Sequence, residues 1–443
     1  MTDIATSIRK AKAESRRLAS LTTEIKDTAL EAMAKALESR KDEVMAANAR
    51  DVRENPDVQG ALLKRLMLSD DKIDAMVSGI RSVKKLADPV GETMSALEMD
   101  DGLTLYQVRC PIGMIGVIFE SRPEVVPQIL SLCVKSGNGV VFKGGREALN
   151  SNRCIFGILM DAVRDIIPTD AFVMLETRED VDSILGLTDC IDLLIPRGSN
   201  AFVRYIQSNT AIPVLGHSSG ICHVYIDSAA DMRKALDVTL DSKIQYPAAC
   251  NAAESILVHS AVAERFLPEM YRTFRENGVE VRCDVRTKSF IPSASDASEE
   301  DWDTEYNDMI VSVRIVDDLE EAIDFINTHG SHHTDAIITE DRGAAVRFYT
   351  AVDSADVFVN ASTRFSDGFR FGKGAEIGIS TNKIHSRGPV GMEGLMIYKY
   401  QIQHDLFLRI RFVPSPYGKG TWKHQMTSGN DMQEIRINDL KRL

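Results

Sequence analysis

No two cysteines in this chain stand three positions apart, so neither a zinc ribbon nor a thioredoxin-type redox pair has support in the sequence. The seven cysteines, at 110, 133, 154, 190, 222, 250 and 283, are odd in number and widely spread. They read as free thiols of a reducing compartment. No apolar run approaches the roughly 18 residues that a membrane-crossing helix needs. The opening stretch, MTDIATSIRKAKAESRR, lacks the apolar centre of a secretory signal, so a cytoplasmic location is expected. Basic charge is also short: 65 acids face 52 bases, a formal net charge of −13. That balance argues against a nucleic-acid or anionic-membrane partner. An anionic substrate would have to be met by a few clustered Arg and Lys side chains.

What is present suffices for folded cores. Of 443 residues, 44% are hydrophobic, and this length usually makes two or three domains. Residues 1–88 read as helices: Leu30, Met33, Ala34 and Leu37 recur at helical spacing, as do Leu62, Leu66, Ile73 and Met76. Ser69 before two aspartates marks a helix start. From about 112, short apolar runs (MIGVIF, GVVFKGG, FVML, DLLIPRGS, CHVYID) alternate with helical stretches. That alternation implies parallel βαβ units and an open α/β sheet. A second alternating block starts near 230, with ESILVH, MIVSVRIV, DAIITE and DVFVN as its strands. Residues 284–305 read as a loop. TLYQVR (104–109) and LMIYKYQI (395–402) read as strands outside both blocks, an arm of the kind that pairs with a second copy.

Five stretches carry chemistry. In QYPAACNAAE, Cys250 follows a proline at the end of a helix and precedes a strand, with small alanines around it. A buried thiol is the ordinary fate of a cytosolic cysteine, and it suits Cys133, Cys154, Cys190 and Cys222. Cys250 instead falls on a connection, where functional residues gather. At an ordinary thiol pKa near 8.5 only about 3% is thiolate at pH 7, and a downward shift of ~2 units would ionise most of it. In NGVVFKGGREALNSN, a strand ending in Lys143 runs through two glycines and Arg146 into a helix, a natural anion site, although it is not the G-x-G-x-x-G fingerprint. IPRGSNAFVRYI repeats the design with Gly198 and a cap at Ser199 or Asn200. Two such turns suggest a long ligand with several phosphates, bound at the carboxyl ends of strands. FESRPEVV opens a helix with Arg122 and Pro123. Residues 360–394 hold three arginines and two lysines among glycines, with almost no periodicity. His217, His223, His332 and His333 invite metal or base readings, but their spacing supports no metal.

The segments PIGMIGVIFESRP, VVFKGGREALNSN, LLIPRGS, GICHVYID, PAACNAAE, GSHHTDAI, NASTRFSDG and GAEIGIST, in that order over residues 105–400, resemble the γ-glutamyl phosphate reductase (glutamate-5-semialdehyde dehydrogenase) branch of the aldehyde dehydrogenase superfamily. The resemblance implies an aldehyde-dehydrogenase-like α/β fold, with two open parallel-sheet domains and a small β oligomerisation arm. The implied organisation is residues 1–93 with 111–229, and parts of 362–392, for NADPH. Residues 230–361 would form the catalytic domain, 94–110 and 393–410 the arm, and 411–443 a tail of unknown role. The implied activity is NADPH-dependent reduction of L-glutamyl 5-phosphate to glutamate 5-semialdehyde and phosphate, the second step of proline biosynthesis. Cys250 would be the nucleophile. Lys143 would meet the adenosine ribose, Arg146 the 2′-phosphate, Gly198 and Ser199 the pyrophosphate, and Glu305 the nicotinamide ribose.

Hydrolytic relatives carry a glutamate that activates the deacylating water. The matching stretch here, PVLGHSSG, has no carboxylate, so phosphate is the expected acyl acceptor in the oxidative direction. Ser121 stands where the superfamily has an oxyanion-binding asparagine. Arg122 and Arg364 are candidates for the substrate's phosphate or carboxylate. The resemblance further implies a homo-oligomer, with the glutamate 5-kinase that makes the acyl phosphate as a channelling partner. A cysteine hydrolase pairing Cys250 with His217, and a non-catalytic binding protein, stand as alternatives.

Overall fold

The computed structural model describes residues 4–100, 102–176, 180–217 and 219–404. The expected tail, 411–443, and the end of the expected arm strand, 405–410, lie outside them. The chain divides into two compact units. One gathers the described residues through Val117, Ser121–Leu193 and those from Met392 onward; the other gathers Ile118–Glu120 and Leu194–Gly391. No helix among the described residues is long and apolar enough to cross a membrane.

The first unit opens with five helices, Ile4–Leu18, Thr23–Ser39, Lys41–Glu54, Gly60–Leu66 and Asp70–Lys85. The expected start at Ser69 is present, its hydroxyl accepting the Lys72 amide and satisfying one of the donors that a helix leaves open. The strands Met114–Phe119 and Gly139–Gly144 follow, the first buried along its whole length. Gly139–Gly144 pairs in parallel with Phe172–Leu175, as the alternating pattern requires. Thr93–Asp100, Leu103–Pro111 and Met396–His404 form a separate antiparallel sheet with Leu103–Pro111 in the middle. The side chains of Met94, Leu97, Ile397, Tyr398, Tyr400 and Ile402 on its two edge strands are exposed.

The second unit is built on a seven-stranded sheet in the order Ser295–Asp296, Glu280–Cys283, Ile310–Val316, Ala253–His259, Cys222–Ile226, Thr334–Ile338, Asp356–Val359, every adjacent pair parallel. Successive residues serve opposite faces. Val224 and Ile226 join Phe266, Leu267 and Met270 of the helix Ser260–Glu276, whereas Tyr225 joins Trp302, Phe325 and Phe348. Burial on both faces explains why these strands read as continuous apolar runs. Cys222–Ile226 reads from the sequence as the last strand of the first block, but it lies inside this sheet. Likewise, residues 284–305 hold the short helix Val285–Lys288, a strand fragment and the turn Glu299–Asp303 rather than a bare loop. Residues 360–394 contain the hairpin Gly378–Ser380/Gly388–Val390.

Candidate active site

Sheet order decides what surrounds Cys250. The strands Ala253–His259, Cys222–Ile226 and Thr334–Ile338 are neighbours and run parallel. The connections entering them, 245–252, 217–221 and 330–333, therefore arrive side by side at the amino edge of the sheet. Cys250 sits there on a turn, partly exposed. One ligand-capable atom from each of His217, Cys250 and His333 lies within 4.8 Å of the others. The two imidazoles meet edge to face with centroids 5.0 Å apart. His217 Nδ1 donates to the Ile379 carbonyl (2.7 Å), since a carbonyl can only accept, and this leaves Nε2 as the basic nitrogen. Burial pulls the His217 pKa down, so the ring is neutral at pH 7. His223, by contrast, is a core residue, buried against Asp335 at 2.8 Å.

The Cys250 loop is held from three sides. Lys243, at the end of the helix Met232–Ile244, and Glu254, at the start of the following strand, form a fully buried ion pair of 2.6 Å that closes the base of the loop. Burial pushes the Glu254 carboxyl up to about 8, against the pull of the ammonium. Asn251 Nδ2 donates to the Ser366 carbonyl (2.8 Å). Gly220 packs directly under the loop: a Cβ there would overlap the Cys250 carbonyl and come within 2.6 Å of its Cα. Gly220→Ala is therefore expected to lower kcat about 10²-fold, the cost of displacing a reacting atom by roughly 1 Å. Matching loss of Cys250 alkylation by iodoacetamide checks the cause; parent-like turnover would mean that the loop is free to slide.

Arg364 lies beside this loop, its Nε donating to Gln245 Oε1 (3.1 Å) and its guanidinium 5.9 Å from the centre of the Tyr246 ring. Burial lowers the Arg364 pKa, while the nearby Cys250 thiolate opposes that shift. Among the sequence candidates of this unit, Cys250 and Arg364 are thus together.

A second group gathers around the turn after the strand Leu193–Arg197. Ser199 caps the helix Asn200–Ser208 through the Phe202 amide, and the Ser199 amide donates to Glu120 Oε2 (2.9 Å). A Cβ on Gly198 would lie 2.6 Å from that same oxygen and 2.7 Å from the Phe202 ring, so a side chain there would have to displace the Glu120 carboxylate and the ring. Glu305 accepts from Asn200 Nδ2 (2.6 Å), which brings it to the same turn. An amide already holding a carboxylate oxygen fits the anionic part of a dinucleotide.

The remaining candidates belong to the first unit. Lys143 is the penultimate residue of its strand, 5% exposed, with Nζ donating to the Gly144 carbonyl (2.7 Å). Arg146 is exposed on the next turn, and Arg122 is half-buried. Asp51 holds the start of the helix Leu149–Val163, accepting the amides of Asn150 (2.9 Å) and Ser151 (2.7 Å). Ser121 adopts a left-handed backbone (φ 41°), and its amide and hydroxyl both donate to Glu147 Oε1 at 2.7 Å. Ser121 is thereby joined to the Lys143–Arg146 turn. Glu120 and Glu147 are not among the sequence candidates, and His333 stands there without an assigned role. The carboxylates look like any loop acids, and His333 reaches Cys250 only through strand order.

The model of the "Aldehyde dehydrogenase family" matches residues 1–308. The chain is 58% identical over 412 residues to "Gamma-glutamyl phosphate reductase" of Methanococcoides burtonii, covering 90% of this chain and 92% of that one. It is 56% identical over 411 residues to the protein of that name from Methanosarcina mazei, at the same coverages. The crystal structure of gamma-glutamyl phosphate reductase from Thermotoga maritima matches with TM-score 0.88 at 39% identity, over 92% of this chain and 99% of that one. The eight ordered segments, the parallel sheets and these relatives agree: the chain belongs to the aldehyde dehydrogenase family, in its gamma-glutamyl phosphate reductase branch.

Proposed function

We propose that this protein reduces L-glutamyl 5-phosphate to L-glutamate 5-semialdehyde and phosphate with NADPH, the second step of proline biosynthesis. The observation that carries the reading is Cys250, partly exposed and pinned on its loop, in a chain 58% identical to a protein named for that reaction. The Cys250 thiolate attacks the acyl carbon, the carbon–oxygen bond to phosphate breaks, and phosphate leaves with the electron pair. Phosphate needs no proton to depart, so no acid has to stand beside it. The cofactor, when bound, supplies the hydride that turns the thioester into a thiohemiacetal oxyanion. The Cys250 backbone amide serves that oxyanion, with Ser121 assisting once its hydroxyl turns from Glu147. Collapse expels the thiolate and releases the aldehyde. Arg364 and Arg122 meet the substrate's phosphate or α-carboxylate by paired donors. Gly198, Ser199 and Glu305 serve the pyrophosphate and nicotinamide ribose, and Lys143 and Arg146 the adenosine side, Arg146 favouring the 2′-phosphate of NADPH. The antiparallel arm is the surface for a second copy, and glutamate 5-kinase is a channelling partner for its unstable product.

The grouping of Cys250 with His217 favours one other reading, a cysteine hydrolase in which the imidazole takes the thiol proton. One assay separates the two. With glutamate 5-semialdehyde and NADP⁺, the reduced-nicotinamide absorbance should rise at least tenfold faster with inorganic phosphate than without, because PVLGHSSG offers no carboxylate to activate water. Equal turnover without phosphate would overturn the proposal.

A further inference from the structure

We propose that His217, Cys250 and His333 form a binding site for a thiophilic divalent cation, Zn²⁺ in particular, which caps the Cys250 sulfur. Three features support it. The ligand-capable atoms lie within 4.8 Å of one another although they come from three connections far apart in sequence. A tetrahedral zinc site with Zn–S near 2.3 Å and Zn–N near 2.0 Å separates its ligands by roughly 3.3–3.6 Å, so an adjustment on the order of 1 Å closes the set. Nδ1 of each ring is also engaged elsewhere, which leaves Nε2 as the nitrogen available to a metal. His217 Nδ1 donates to the Ile379 carbonyl at 2.7 Å, and His333 Nδ1 lies 2.8 Å from Thr334 Oγ1.

Third, the His333 Nε2 atom is fully buried and has no hydrogen-bond partner among the described residues. A buried polar atom without a partner costs about 1–3 kcal/mol, and a metal–nitrogen bond is one way to satisfy it. One thiolate and two imidazoles select zinc or copper(I) over magnesium and calcium, which prefer oxygen ligands. Cys250 and His217 are only partly buried, so a water molecule can complete the set as the fourth ligand. Binding forms a metal–sulfur bond and releases the thiol proton to solvent, with no change of oxidation state.

The site itself does not depend on the function proposed above. Only its effect on turnover does, because zinc withdraws charge from the sulfur and makes it a weaker nucleophile toward an acyl carbon. The test titrates the full metal-free chain with Co²⁺, a spectroscopic stand-in for zinc, and then displaces it with Zn²⁺. One equivalent should give a near-ultraviolet thiolate-to-cobalt band together with visible absorption, both erased by Zn²⁺. Cys250→Ser should remove the thiolate band, whereas Cys222→Ala, which changes the sulfur 3.7 Å from His333 Nδ1, should leave it. His217→Gln and His333→Gln should each weaken Zn²⁺ binding at least tenfold and raise the Zn²⁺ concentration that halves activity by the same factor. A band that survives Cys250→Ser, or a Zn²⁺ affinity unchanged from the parent in the histidine variants, would overturn the assignment. If the metal binds as described but Cys250→Ser stays active, the site stands and the reading of Cys250 as nucleophile fails.

Discussion

Cys250→Ser is expected to lose activity in both directions by on the order of 10⁴-fold or more, with its fold intact. A serine hydroxyl is hardly ionised at neutral pH. His217, the basic nitrogen within reach, is held by the Ile379 carbonyl in a geometry fitted to the loop as it stands. That loss corresponds to at least ~5 kcal/mol of transition-state stabilisation. The substitution lies on a partly exposed turn, so the melting temperature should barely move. The measurement is the initial rate of NADP⁺ reduction with semialdehyde and phosphate, together with mass spectrometry of the quenched enzyme. The parent should carry a glutamyl adduct on the peptide containing Cys250 and the variant none. A variant retaining a tenth of the parent rate would remove this sulfur from the chemistry.

The second large effect is on stability. Lys243→Met breaks the buried pair with Glu254 and should destabilise the protein by about 3–5 kcal/mol, because a carboxyl is left in the core without its cation. The sign of the pH dependence follows from where the proton sits. The Glu254 carboxyl titrates near 8 in the folded parent, above its ordinary value, because burial disfavours the charge. Removing Lys243 raises it further. The folded state then holds a proton that the unfolded state has lost, so this group's contribution is complete below the ordinary carboxyl pKa and declines as pH rises. The stability of Lys243→Met from urea unfolding should run parallel to the parent from pH 5 to pH 8, where the folded carboxyl is protonated in both, and fall away from it above pH 8 by up to ~1.4 kcal/mol per pH unit. Adding Glu254→Leu should recover most of the loss and flatten that slope. A double variant as unstable as the single one would mean that the lysine acts through its packing rather than its charge.

Local chemistry was legible in the sequence and partnership was not. Ser69 and Ser199 announce helix starts because a cap is decided within four residues, and both cap as expected. The parallel α/β architecture follows from runs buried on both faces. Cys222–Ile226 has the same texture whichever sheet it joins, because hydrophobic periodicity reports burial and not neighbours, so its place in the seven-stranded sheet could not be read. The same limit hid the surroundings of Cys250. His333 lies 83 positions away, and only the insertion of Thr334–Ile338 next to Cys222–Ile226 brings it to the sulfur. Glu120 and Glu147 were passed over because acids near glycine turns are ordinary, and nothing in their spacing says that they grip the Ser199 and Ser121 amides. The eight segments supplied by resemblance what periodicity could not.

The closure of the 245–252 loop by Lys243 and Glu254 separates two jobs that most active-site loops combine. Residues 246–249 sit between the staple and the sulfur, and they have neighbours of their own to answer to. The anchoring of the nucleophile is delegated to Lys243, Glu254, Asn251 and Gly220. A library that varies only Tyr246, Ala248 and Ala249 can therefore reshape what approaches the thiol while leaving its anchor intact. Acyl-chain preference in this scaffold is in that sense an editable surface laid over a fixed hinge pin.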